Sequence, residues 1–387
     1  MRYTLVTVFL ACAILFFSCK GTEPEPPKPP VPTKYEAVLD VFTDSVVKAA
    51  NIPGLSIAVV EEGLPAWAEG YGFSDLGKAI PATKYTRYLM AQSADPVVAA
   101  AVLQAVTESG LDLDAPVNQY LPFAVRHPLY PTAVITLRML LSHTAGLADD
   151  STQLASLYGP GDTQVRLRDF LKDYFTVGST YYSVNHFTSK RPGKTYQYSR
   201  IGIALAALAV ENRTGVGFDL YCKTHLFLDL GFSSVSWYLY DLQSDLVALP
   251  YMRMPGGNYQ AQALYGYPMY PSGSLRVSSE LMARFLSAAL SGGVYSGQQV
   301  LSSAQVEDML RVQNPFIDPS QALGWDTYTV GGRSLSGIKG SDKGYSSCMY
   351  ISPATGSGVV ILANTTGIDA LLETLVLKAL SVAEQAD

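Results

Sequence analysis

Tyr88-Leu-Met-Ala-Gln-Ser93 leads through Ala94-Asp95-Pro96 into Val97-Val-Ala-Ala-Ala-Val-Leu-Gln104, and the chain then breaks at Gly110-Leu-Asp-Leu-Asp-Ala-Pro-Val-Asn-Gln-Tyr-Leu-Pro122. The stretch from Ser93 to Ser109 reads as a helix. Serine is a favoured helix cap, and proline is comfortable in a first helical turn because the N–H it lacks has no partner there. Ser93 therefore suits the cap of this helix.

Outward from this helix the pattern changes in both directions. Tyr35 to Ala50 carries apolar residues at Val38, Leu39, Phe42, Val46 and Val47, a helical spacing. Leu55–Val60 and Ala66–Phe73 are apolar runs separated by Glu61-Glu62-Gly63, which predicts a hairpin. Helices are expected over 135–142, 201–213 and 278–290. Strands return at 327–330, 345–351 and 358–363, and a helix over 368–386 closes the chain. Strands at both ends with helices between them predict an α/β (α+β) fold. One antiparallel sheet is built from both chain ends, and a large, mainly helical insertion sits between them. The expected organisation is a domain over 35–387, with its sheet region at about 35–90 and 270–387 and its helical region at about 91–269.

The N-terminal residues have a different composition. Arg2 precedes an apolar run from Leu5 to Phe17, which ends at Ser18-Cys19. That pattern is a secretory signal, and the cysteine at the cut resembles a bacterial lipobox. Residues 1–19 are thus expected to be a lipoprotein signal peptide with Cys19 as the lipidated residue. The proline-dense stretch over 20–34 cannot fold into helix or sheet and is expected to be an extended spacer. These features imply a bacterial cell-envelope protein, periplasmic or at the cell surface, held to a membrane by its lipid alone. Among 387 residues, 48% are hydrophobic and 16% charged, with a net charge of −6. That composition excludes a disordered chain. With no basic block, it speaks against nucleic acid as a partner. Past Cys12 and Cys19 only Cys222 and Cys348 remain, and whether they pair is open. No His/Cys spacing suggests a metal, and no cofactor is implied.

Several blocks together resemble one family. The nucleophile region at Tyr88–Pro122, the block Ile135-Thr-Leu-Arg-Met-Leu-Leu-Ser-His-Thr-Ala-Gly-Leu147, and Pro192-Gly-Lys-Thr-Tyr-Gln-Tyr198-Ser-Arg200 are similar to serine β-lactamases and penicillin-binding peptidases. The similarity is to the class C β-lactamase and DD-peptidase-like branch. Leu323-Gly-Trp325, Gly344-Tyr-Ser-Ser347 and Val359-Val-Ile-Leu-Ala-Asn364 extend it to the end of the chain. The resemblance implies a serine at a helix start that attacks a carbonyl carbon, with a lysine one turn later to hold its proton. It implies a Y-x-N motif whose tyrosine shuttles protons. It also implies a [HK]-[ST]-G strand, where the N–H after the glycine completes an oxyanion hole with the serine's own N–H.

This chain departs from all three motifs. With Ser93 at the serine position, Pro96 stands three residues on and offers no amine. Tyr198 is retained, but Arg200 stands at the asparagine position. Gly337-Ile-Lys-Gly-Ser341 puts Ile338 at the basic position and Lys339 at the hydroxyl position, with Gly340 and Ser341 following. Asp95, two residues from Ser93, is expected to face away on the helix. His143 is expected to be structural. Arg200 stays protonated and cannot be a general base. Lys339 could reach the cleft through a one-residue strand shift, although such a slip would flip its neighbours. The candidate catalytic residues are therefore Ser93, Tyr198 and Lys339, and the candidate substrate-binding residues are Arg200, Gly340 and Ser341. The expected function is a serine β-lactamase/DD-peptidase-like domain with incomplete acylation machinery. Its cleft would bind a cell-wall or other small or peptide ligand, with anionic ligands favoured by Arg200 and Lys339. The alternative is an active serine hydrolase acting on an ester, amide or peptide, with Tyr198 or Lys339 as base.

Overall fold

The computed structural model describes residues 33–385. The signal peptide, Cys19 and almost all of the proline-rich stretch lie outside these residues. A seven-stranded antiparallel sheet forms the centre. Its strands are β1 (Gly54–Glu61), β2 (Leu64–Asp75), β3 (Ile80–Pro81), β4 (Asp326–Val330), β5 (Arg333–Asp342), β6 (Tyr345–Ser352) and β7 (Ser357–Ala363), in the spatial order β4-β5-β6-β7-β1-β2-β3. The two ends of the chain meet where β1 pairs with β7, with Ile57 opposite Ile361 and Val59 opposite Val359. The expected hairpin is β1–β2, and its register shifts between Val59 and Val60.

The strands are apolar because both faces of the sheet are covered. Leu55, Ile57, Val59, Val359 and Ile361 face one core together with helix α5 (Asp369–Ala383). Ala58, Val60, Val360 and Leu362 face the other core, which holds the helical insertion. There α2 (Asp95–Ser109) and α3 (Arg200–Thr214) pack on each other, and both are buried through their middles. A helix that is apolar on every side needs such a position. The chain from 35 to 49 begins as a wide π-type turn and becomes helix α1 (Val41–Ala49). Helix α4 (Ser279–Leu290) lies against β1, β2 and β7.

Two local details differ from the sequence reading. The helix after Ser93 begins at Asp95, and a 3₁₀ turn over Ala91–Ala94 precedes it. β5 is longer than its motif, and Asp326–Val330 pairs only with its first half, Arg333–Gly337. Among the described residues the second half, Ile338–Asp342, pairs with β6 alone and presents its other edge to the Ala91–Ala94 turn. That edge and that turn make the site. Cys222 and Cys348 are both buried free thiols in different cores and are not bonded to each other.

Candidate active site

The turn that opens the site is held in an unusual conformation. Ala91 has φ +49°, the left-handed region that a side-chain-bearing residue occupies at a cost of order 1–2 kcal/mol. Its neighbour in space is Gly273, where a Cβ would come within 2.7 Å of the Tyr267 hydroxyl and 3.2 Å of Ala91 Cα. The bend at Ala91 determines which of the next two side chains meets the strand edge. The half-buried Gln92 is turned to β5, and the Ser341 N–H donates to Gln92 Oε1 at 2.8 Å.

Ser93 lies behind this contact and is wholly buried. Its hydroxyl donates to the Ile338 carbonyl at 3.4 Å and accepts from Ser347 at 2.9 Å. Its backbone N–H is bonded to Met90 O at 3.1 Å within the turn. Gly340 makes this packing possible. A Cβ there would meet Met90 O at 2.5 Å, Ser347 Oγ at 2.6 Å and Ser93 N at 2.8 Å.

Asp95 does not face away. A 3₁₀ turn advances the chain differently from an α-helix, and Asp95 is buried within the site. The Tyr198 hydroxyl donates to its Oδ2 at 2.9 Å, and Ser272 Oγ lies 3.4 Å from Oδ1. Burial pushes the Asp95 carboxyl up to about 7, and the bonds from Tyr198 and Ser272 and the charge of Arg200 pull the other way. The Tyr198 phenol is in turn held well above its ordinary range, first by burial and then by the Asp95 charge.

Tyr198 is fixed from behind. Its ring packs against His143 with centroids 4.4 Å apart, and the His143 Nδ1 accepts from the Ser199 N–H at 3.3 Å. Burial lowers His143 to about 3, which favours its neutral ring. Ser199 caps α3 by accepting from the Gly202 N–H, and its own hydroxyl donates to Asp149 at 2.7 Å.

Arg200 and Lys339 do not form the pair of free cations that the sequence suggested. Arg200 bridges to Asp342 on the far end of β5 at 3.4 Å, donates to the Ser272 carbonyl at 3.1 Å, and lies over the Tyr267 ring at 4.6 Å. Asp342 also accepts from the Tyr158 hydroxyl at 2.9 Å and from Tyr267 at 3.3 Å. The carboxylate partner of Arg200 thus comes from outside all three motifs. Lys339 is on the other face of the sheet. β5 and β6 pair without a slip, with Ile338 opposite Met349, Lys339 opposite Cys348 and Gly340 opposite Ser347. The pleat therefore sends Ile338 and Gly340 toward the site and Lys339 toward α5, where its Nζ is 4.0 Å from Glu373.

The aromatic-rich stretch that begins at Tyr251 supplies Tyr265 and Tyr267 to the same region. A cavity of about 390 Å³ opens beside Asp342 and is lined by Tyr158, Pro160, Met252, Gln262, Tyr265 and Lys343. Gln92, Asp95 and Asp342 were not among the residues singled out as candidates. No residue type in the Ala91–Ala94 turn signals the place of Gln92, and Asp342 carries no local signal that pairs it with Arg200.

A family model described as Beta-lactamase matches residues 39–381. Protein flp of Staphylococcus aureus strain MW2 is 23% identical over 332 residues, which cover 84% of this chain and 62% of that protein. The chain thus spans about three-fifths of the length of this relative. Among solved structures, a penicillin-binding protein homologue from Pyrococcus abyssi superposes with a TM-score of 0.70 at 21% identity, covering 90% of this chain and 77% of that one. The D-amino acid amidase of Ochrobactrum anthropi superposes with a TM-score of 0.71 at 19% identity, covering 90% and 99%. At these identities the structures establish the fold.

Proposed function

Because the chain belongs to the beta-lactamase family, we propose that it is a relative that binds a ligand in its cleft without hydrolysing it. The observation that carries this reading is the bond between Tyr198 and Asp95. Acylation needs a base that can take the hydroxyl proton near neutral pH. A phenol beside a lysine or arginine can be lowered into that range, whereas a phenol that donates to a buried carboxylate is raised out of it. Ser93, wholly buried against Ser347 and Ile338, is in no position to attack an incoming carbonyl. Losing a general base alone removes about 10²–10⁴ in rate. The alternative of an active hydrolase has no support from Lys339, which lies on the other face of the sheet.

The cavity of about 390 Å³ beside Asp342 supports binding, since small-molecule sites run to about 300–1,000 Å³. Its tyrosines and Lys343 suit a small ligand with an anionic or carbonyl group. The reading includes export and lipid attachment at Cys19, supported by the apolar run that ends there and the proline spacer after it. A Cys19→Ala chain should leave the membrane fraction, and unchanged fractionation removes that part. For the cleft, the test is intact-protein mass spectrometry after incubation with penicillin or an activated ester. No adduct is expected, and a rapid acyl adduct defeats the reading.

A further inference from the structure

We infer that Gln92 and Asp95, rather than Ser93 and Pro96, stand at the nucleophile and lysine positions of this cleft. On this assignment the Gln92 carboxamide is an internal ligand of the oxyanion hole. The inference rests on the reading above and names the chemistry that the cleft accepts.

Three observations carry it. The first is the donor. The N–H that follows the motif glycine is Ser341's, and its acceptor is Gln92 Oε1 at 2.8 Å. An sp² amide oxygen thus occupies the place where such a site would hold the oxygen of a bound carbonyl. The second is the spacing. Asp95 follows Gln92 by three residues, as a lysine would follow a nucleophile, and it meets the motif tyrosine at 2.9 Å. Pro96 makes no comparable contact and is buried in α2. The third is the backbone. The left-handed Ala91 turns residue 92 onto the strand edge and residue 93 into the core.

Two positions have therefore changed chemistry without losing their geometry. A carboxamide replaces the hydroxyl, and a carboxylate replaces the amine. A ligand that offers a carboxylate or amide oxygen enters the hole only by displacing Gln92. Its apparent affinity is reduced by the fraction of time that Gln92 occupies the site.

The test uses the full chain. Amide hydrogen exchange at Ser341 is compared in the native protein and in Gln92→Ala, Gln92→Glu and Ser93→Ala, with circular dichroism to confirm folding. Exchange at Ser341 should rise at least tenfold in Gln92→Ala. It should stay slow in Gln92→Glu, which keeps an acceptor oxygen, and in Ser93→Ala. Benzoate, titrated by calorimetry, should bind Gln92→Ala at least fivefold more tightly than the native chain. Ser341 exchange that ignores Gln92→Ala, or that rises in Ser93→Ala, overturns the assignment, as does unchanged benzoate affinity. These outcomes are separable from failure of the non-hydrolytic reading, which shows itself as an acyl adduct on the native chain.

Discussion

Tyr198 donates its hydroxyl proton to Asp95 across 2.9 Å, joining the start of α3 to the start of α2. The carboxylate is buried beneath the phenol, with Ser272 and the charge of Arg200 as its remaining support. Burial raises both groups and the Asp95 charge raises Tyr198 further, whereas the bond from Tyr198 lowers Asp95 against its burial, so the phenol is the member that keeps its proton.

Asp95 should make stability depend on pH. Its folded pKa, about 7, is above the ordinary aspartate value, so the folded state holds a proton that the unfolded chain releases near pH 4. Between about pH 4 and pH 7 the native chain binds more protons than the unfolded one, and stability falls as pH rises. Above pH 7 the loss is complete, at roughly 1–4 kcal/mol. Asp95→Asn keeps an acceptor for Tyr198 and should flatten this slope, with its gain greatest above pH 7. Urea titrations at a series of pH values check this, and parallel slopes in the two proteins count against it.

Arg200→Ala should destabilise the domain by about 2–5 kcal/mol. It leaves Asp342 buried without its ion partner, with the Tyr158 and Tyr267 hydroxyls and the Lys343 N–H as neutral donors to answer its charge. Asp342→Asn should cost less, and the double substitution should cost less than the sum of the two. Chemical denaturation of the four proteins gives the coupling, and strict additivity refutes it.

Gly340→Ala should be among the most damaging single-methyl changes in β5. The added carbon meets two backbone atoms and the Ser347 hydroxyl within 2.8 Å, so the strand must move off the Ala91–Ala94 turn. Overpacking of this kind costs about 1–3 kcal/mol. Thermal melts read the loss, and exchange at Ser341 reads the parting of the strand from Gln92.

Ser93→Ala should cost about 1 kcal/mol, the scale of one net hydrogen bond, because the lost contacts are those to Ile338 and Ser347. Lys339→Ala should stay within about 0.5 kcal/mol, as expected for a partly exposed residue with a distant ion partner. Neither change should alter ligand affinity in the cleft. A large effect of Lys339→Ala on binding contradicts its placement on the far face.

The sequence by itself determined the sheet and its helical insertion. The strand residues at 55–60 and 358–363 are apolar on both faces because the sheet is covered on both sides, and that burial is written locally in each run. The helices at Asp95–Ser109 and Arg200–Thr214 were equally legible, because a helix buried in a core is apolar along its length. The site residues obeyed a different logic. Counting α-helical turns from Ser93 placed Asp95 on the wrong side, since the left-handed Ala91 and a 3₁₀ turn intervene and no residue type announces them. The face of Lys339 depends on the register of β5 against β6, which the strand's own residues do not specify. Arg200 and Asp342 lie 142 residues apart, and their pairing exists only because α3 and the free end of β5 arrive at the same place. Local burial patterns are carried by neighbouring residues, whereas the partner of a polar group is chosen by the packing of distant segments, and that was decided by the tertiary structure alone.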